Sequence, residues 1–281
     1  MGKRKLDPTP TDEPENKKIA KKSKWTNKTR VLVFSSRGVS FTQRHLMMDL
    51  RSMMPHSKKE SKREKKDSLF AINEICEMRN CNKCLYFENR KKSSLYMWMS
   101  CVPAGPSAKF LVENIHTMLG LKLTGNCLKG SRPLLSFDKT FETAPHWKLL
   151  KEMFTQILSV PYHHPKSKPF VDHVLTFTIA NNLIHCRNYQ IAEENAELVE
   201  IGPRMSLNLI KIFSGSFSGE ILYNNPKFTS PNTIRNMLKL QQGTKYLGKL
   251  ASRQAREVRR PDYSLLRNPI DDVFGVWLQM F

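Results

Sequence analysis

The chain has 281 residues, with 46 Lys and Arg against 25 Asp and Glu, a formal charge of +21 and a pI near 9.8. With 40% hydrophobic residues it can build one large domain or two small ones, and its positive excess points to a polyanionic partner. No apolar run reaches the roughly 18 residues of a membrane span, no signal-peptide core stands at the N-terminus, and the six cysteines are expected as reduced thiols.

Residues 1–28 are polar, lysine-rich and proline-containing, the composition of a disordered tail. Lys3-Arg4-Lys5 and the lysines from Lys17 to Lys24 are spaced as a bipartite nuclear-import signal. Order is expected from about Arg30. Val31-Leu-Val-Phe34 reads as a strand ending in the turn Ser35-Ser-Arg-Gly38, and Ser40 caps a predicted helix that Pro55 stops. Residues 56–66 are expected to be a mobile basic loop, and Leu69 to Met78 is ambiguous, with helix favoured. Cys84-Leu-Tyr-Phe87 and Leu95-Tyr-Met-Trp-Met-Ser100 read as paired strands. Pro106-Ser107 is expected to open a helix through Phe110, Leu111, Ile115 and Met118, and a further helix spans His146 to Leu158.

Pro161 to Pro169, with three prolines and two histidines, marks the predicted boundary between halves. A hairpin follows, His173–Ile179 and Leu183–Tyr189 around Ala180-Asn-Asn182, then a strand at Leu207–Phe213. Arg235 to Arg260 reads as a basic arm, helical or extended. The expected plan is therefore α/β (α+β): a tail at 1–28, a folded region at 29–235 in halves of about 29–160 and 161–235, and a basic arm with an apolar end at 236–281.

A set of segments in this order resembles the Brix-domain family of ribosome-biogenesis factors. Its carriers are Phe34-Ser-Ser-Arg-Gly38, Arg44-His-Leu-Met-Met-Asp-Leu50, Met54-Pro-His-Ser57, Glu77-Met-Arg-Asn-Cys-Asn-Lys-Cys84, Gly105-Pro-Ser-Ala-Lys-Phe110, Gly125-Asn-Cys-Leu-Lys-Gly-Ser-Arg-Pro133 and Glu200-Ile-Gly-Pro-Arg204. The resemblance covers about residues 25–235. It implies two packed halves, each similar to the anticodon-binding domain of class II aminoacyl-tRNA synthetases. It also implies a nucleolar, non-catalytic role, with large-subunit pre-ribosomal RNA and other assembly factors as partners. The chain departs from the family at its end. Members of this type continue into a longer basic tail, whereas residues 271–281 are mostly apolar.

RNA binding needs cations for phosphates and flat groups for bases. The leading candidates are Arg37 and Arg44 at the first strand–helix turn, Lys129 and Arg132 in the Gly-rich loop, and Arg204 after its Gly-Pro turn. Lys109, near the expected helix start, would set a cation beside backbone amides that favour phosphate. For each residue the blander reading is a loop tied to a carboxylate.

Gly125-Asn-Cys-Leu-Lys-Gly-Ser131 imitates a phosphate loop but lacks the Gly-Lys-Ser/Thr ending. Cys81-Asn-Lys-Cys84 is a single CxxC without a second close pair, so buried thiols are preferred to zinc. No Gly-x-Ser-x-Gly elbow surrounds Ser35-Ser36. His163-His164 reads as part of a basic linker rather than a metal pair. The aromatics Tyr96 and Trp98 share one strand face and either stack bases or fill a core. Glu193, Glu194, Glu197 and Glu200 form an acidic patch, by default a solvated face. No cofactor, metal, membrane or small-molecule substrate is expected. The competing readings are a nucleolar protein–protein scaffold and an RNA-dependent nucleotide-hydrolysing enzyme.

Overall fold

The computed structural model describes residues 29–64, 67–90, 94–192 and 197–259. The predicted tail, its import signal and the apolar residues 271–281 lie outside the described residues, as do Glu193 and Glu194. Residues up to Pro226 form one compact unit and those from Lys227 a second.

The first unit opens with β1 (Val31–Ser35), whose side chains alternate. Val31 and Val33 enter one core while Leu32 and Phe34 enter another, as the period of two requires of a strand covered on both faces. Then comes α1 (Phe41–Met53), started by a full capping box. The Gln43 N–H donates to Ser40 Oγ, and the Ser40 N–H donates back to Gln43 Oε1. Such a cap is worth about 1 kcal/mol.

The expected mobile loop is partly built. β2 (Ser57–Lys59) pairs parallel with β1, and Arg63 is buried, donating to Asp67 and to the Ser68 carbonyl. Next come α2 (Ala71–Met78), β3 (Lys83–Arg90) and β4 (Ser94–Cys101).

β5 (Ser107–His116) corrects the sequence reading, which expected a helix here. Its apolar residues carry no clean alternation because both faces of this central strand are covered over Ala108–Val112. A short α3 (Met118–Leu121) and β6 (Pro133–Phe137) follow, neither foreseen. After a 3-10 turn come α4 (Pro145–Leu158), β7 (His173–Ala180) and β8 (Leu183–Ile191). The turn between β7 and β8 places Asn181 and Asn182 at φ 52° and 65°, the left-handed pair such a hairpin needs. β9 (Leu198–Glu200), β10 (Arg204–Phe213) and β11 (Ile221–Asn224) complete the unit.

One mixed sheet runs β2-β1-β3-β4-β5-β10-β8-β7-β6, with β11 beside β10 and β9 beside β8. Its two sides share a plan. β1 and β3 are parallel, then β4 and β5 follow antiparallel. On the other side β6 and β7 are parallel, then β8 and β10 follow antiparallel. β5 and β10 meet antiparallel in the middle. The plan divides before β6, not at Pro161–Pro169, because α4 is the crossover that carries the chain from β6 to its parallel neighbour β7. Helices α1 and α4 share the larger core, where Phe154 stacks on Phe177 at 4.8 Å.

The second unit is α5 (Pro231–Arg259), so the basic arm is helical. Its apolar residues, among them Leu240, Leu247 and Val258, are exposed. No helix among the described residues is long and apolar enough to cross a membrane.

Candidate nucleic-acid interface

Three loops that are distant in sequence are bonded together at one place. The loop from Gly125 to Pro133 is held by Gln190 of β8 and by Asp172 just before β7: Gln190 Oε1 accepts the Asn126 N–H at 2.8 Å and Asp172 Oδ2 the Leu128 N–H at 2.6 Å. The Pro161–Pro169 segment lies against it, with the Lys168 N–H donating to the Gly130 carbonyl at 2.7 Å. On the other flank, a Cβ on Gly125 would sit 2.5 Å from the Glu200 carbonyl oxygen, so only glycine lets the loop pack on the Glu200–Arg204 turn.

This cluster presents Lys129, Lys166 and Lys168 exposed. Arg132 lies over Tyr162, its guanidinium carbon 4.0 Å from the ring centre, and Tyr162 is 70% exposed. A cation stacked on an exposed aromatic suits both phosphate and base contact. From the sequence, Lys166 and Lys168 were read only as part of a basic, proline-stiffened linker near RNA, and Tyr162 was not singled out. The signal for Tyr162 was an aromatic residue within that basic, proline-rich connection.

Arg204 differs. Its Nε and Nη2 fork onto Glu200 Oε1 and Oε2 at 2.5 and 2.6 Å. Hydrogen bonding and charge from Arg204 hold the Glu200 carboxyl below its ordinary pKa. Arg204 also lines a notch of about 230 Å³ with His116, His185 and Arg187.

The other predicted cations are dispersed. Arg37 pairs with Glu64 at 2.8 Å with both side chains well exposed, and Arg44 is exposed on the first turn of α1. Lys109 stands in mid-strand on β5, not at a helix start. Its Nζ lies 4.6 Å from the Trp98 ring centre and 3.8 Å from Glu88, and burial lowers its pKa against the pull of Glu88. Trp98 itself is core: it stacks on Phe213 at 5.7 Å and its Nε1–H donates to Glu88, which rules out the base-stacking reading for this residue.

Among the described residues of this cluster no serine–histidine–carboxylate relay is formed. Ser131 and Asp172 flank His173, yet both approach the same ring nitrogen, Nδ1, at 3.2 and 2.6 Å. A relay needs the serine and the carboxylate on opposite nitrogens. The glycine loop opens into strand β6 rather than into a helix whose N-terminus would hold phosphates. Burial pushes the Cys81 thiol up to about 11 and raises the Cys84 thiol as well, which keeps both protonated. Among the described residues no group of three or more His, Cys, Asp or Glu is placed to hold a metal.

The model of the Brix domain matches residues 36–211. The chain belongs to the Brix domain family. It is 60% identical over 255 residues to the ribosome biogenesis protein BRX1 homolog of Pongo abelii, covering 90% of this chain and 72% of that protein. The brx1 protein of Schizosaccharomyces pombe, also a ribosome biogenesis protein by name, is 47% identical over 254 residues, covering 88% and 86%. A crystal structure of a probable ribosomal biogenesis protein from Aeropyrum pernix K1 aligns at TM-score 0.46 and 14% identity, over 64% of this chain and 96% of that one. The Brix match takes in the whole loop cluster, and it ends inside β10.

Proposed function

We propose that this protein is a ribosome-biogenesis factor that binds precursor ribosomal RNA and other assembly factors during maturation of the large subunit. The observation that carries this is its relationship, along nine-tenths of its length, to proteins named for ribosome biogenesis. Its role is placement: the protein holds an RNA segment and a set of partners, and no bond is made or broken. The glycine loop lacks the Gly-Lys-Ser/Thr ending and opens into β6 rather than a helix, which supports that reading over an RNA-dependent nucleotide hydrolase.

The charge of +21 and the cationic loop cluster support direct RNA contact. Lys129 and Arg132 are assigned the leading contacts, with Arg37 and Arg44 at a second margin. Lys109 and Arg204 are assigned to holding Glu88 and Glu200 in place. Work on such an RNA puts the protein in the nucleus and nucleolus. The exposed apolar residues of α5 suit a protein partner.

UV crosslinking in cells, followed by sequencing of the attached RNA, tests the reading. Reads concentrated at one large-subunit segment are expected. Diffuse reads, with the protein still co-purifying with assembly factors, would replace RNA placement by a protein scaffold.

A further inference from the structure

The two sides of the sheet share a plan on one face and differ on the other. Between β1 and β3 the chain inserts α1 and then α2, whereas between β6 and β7 its one α-helix is α4. α2 lays Ile72 and Cys76 on Leu32, Phe34, Tyr86 and Trp98, so the first side is covered on both faces. On the second side Phe177, Ile184, Cys186, Met205 and Leu207 all enter the larger core. Their alternates Thr176, Thr178, His185, Arg187 and Ser206 face the other way, where the described residues of this unit supply no helix. Thr178 and Arg187 are exposed there, and His185 is half-buried.

This face holds a notch of about 230 Å³, whose lining includes Asn114, His116, His185, Arg187, Arg204 and Ser206. We propose that the notch seats a backbone phosphate of the bound RNA, held by Arg187 and by the Nε2–H of His185.

The fold sets the donors. Asn114 Nδ2 donates to Ser206 Oγ at 3.5 Å, and the same Oγ lies 3.0 Å from His185 Nδ1. Having accepted from Asn114, the hydroxyl gives its own hydrogen to the imidazole. Nδ1 is then the acceptor, and Nε2–H is left as a donor for a ligand. A phosphodiester oxygen only accepts, so it is the complement of that N–H. Arg187, two residues on and on the same face, is exposed, and its charge reaches as far as the Glu200 carboxyl. Arg204, forked onto Glu200, serves as a wall.

A β-bulge shapes the opposite wall. Arg204 pairs with His116 but Ser206 with Glu113, so β5 carries one extra residue, and Asn114 sits within it at φ 50°. A bulge re-aims side chains, and this one brings both Asn114 and His116 to the notch. Glu113 stands opposite Ser206 in register and does not line it.

RNA fits this face better than a protein does. Protein docking sites are centred on apolar and aromatic anchors. None of the exposed large apolar side chains among the described residues belongs to β7, β8 or β10. Hydroxyls, amides and cations suit the phosphates and 2′-hydroxyls of RNA. The Glu200–Arg204 turn also borders both sites: Arg204 walls the notch, and the Glu200 carbonyl packs on Gly125 of the cationic loop.

The inference rests on the RNA-binding reading, and the experiment separates the two. Full-length wild type, Arg187→Gln and Lys129→Gln/Arg132→Gln would be titrated with fluorescent oligouridine at several salt concentrations. Imidazole signals of the wild type would be followed by NMR, with His185→Gln and His116→Gln identifying theirs. Oligouridine should move the His185 and His116 signals. Arg187→Gln should make the salt slope shallower by about 0.7, the share of one single-strand phosphate, and this loss should add to that of the loop variant.

Unmoved signals at saturating oligouridine, or an unchanged slope for Arg187→Gln, would overturn the notch. Weakening of the loop variant in the same series would leave RNA binding by the loops standing. A wild type that binds no oligouridine would overturn both. Signals moved by oligoglutamate and not by oligouridine would give the notch to an acidic protein segment and overturn the RNA assignment. Arg187 is exposed, and the wild-type signals decide the case by themselves should its substitution disturb folding.

Discussion

Two turns of this protein end in a glycine, one further residue and an arginine, and they treat the arginine in opposite ways. At Gly202-Pro-Arg204 the guanidinium is forked onto Glu200, four residues back. At Gly130-Ser-Arg132 it lies over Tyr162 with no carboxylate partner among the described residues. A bidentate pair has spent its directional donors inside the fold, while a stacked arginine keeps its charge available to an incoming phosphate. The type of residue and its turn are the same. What differs is whether the chain brings an acid within reach, and that decides which arginine is structural and which is placed for a ligand.

The comparison breaks most severely at Gly125, where both turns lean on one backbone contact. Gly125→Ala sets a methyl against the Glu200 carbonyl and is expected to cost about 2–4 kcal/mol, read as a lowered denaturation midpoint in urea.

Acid separates the Glu200–Arg204 turn from the buried His56 by pH window. Burial holds His56 at about 4 against an ordinary 6.5, so the folded chain refuses a proton that the unfolded chain accepts. Stability should fall as pH drops through that interval, by about 3 kcal/mol at its lower end. The Glu200 carboxyl is shifted downward, so its contribution persists above the ordinary carboxylate range and is lost only as pH falls through its lowered value. Urea titrations from about pH 7 down to about pH 2 should show His56→Gln flattening the earlier limb and leaving the later one.

RNA affinity sharpens the contrast. Arg132→Gln should weaken oligouridine binding by about 1 kcal/mol and reduce the salt slope, whereas Arg204→Gln should change affinity less than stability. A larger affinity loss for Arg204→Gln would reverse the assignment of the two turns. Smallest of all, Arg37→Ala breaks an ion pair between two exposed side chains and should alter the thermal midpoint by an amount equivalent to no more than about 0.5 kcal/mol.

Much of the frame was legible in the residues. Val31–Phe34, the two predicted hairpins and the Ser40 cap all announce themselves locally, because each is decided by a few neighbouring side chains. β5 was misread because Pro106-Ser107 imitates a helix start and a strand covered on both faces loses its alternation. β6 was missed as a five-residue strand that becomes one only beside β7. The candidate site suffered more. Lys129 and Arg132 were found from their glycine loop, but the fate of Arg204 depended on a rotamer and that of Lys109 on its strand. His56 meets the Ile157 carbonyl across a separation of 101 residues, which no local pattern records.

The meeting of β5 and β10 at the centre of the sheet also governs how the chain is made. During synthesis the edge of β5 emerges first, and its partner arrives only after about 90 further residues, or roughly 4–18 s at ordinary elongation rates. For that interval the longest strand of the first half stands with an open row of amides and carbonyls, a template for wrong pairing. A factor built this way folds safely only if its nascent first half is shielded, or if it stays too dilute to find another copy, until β10 closes the seam.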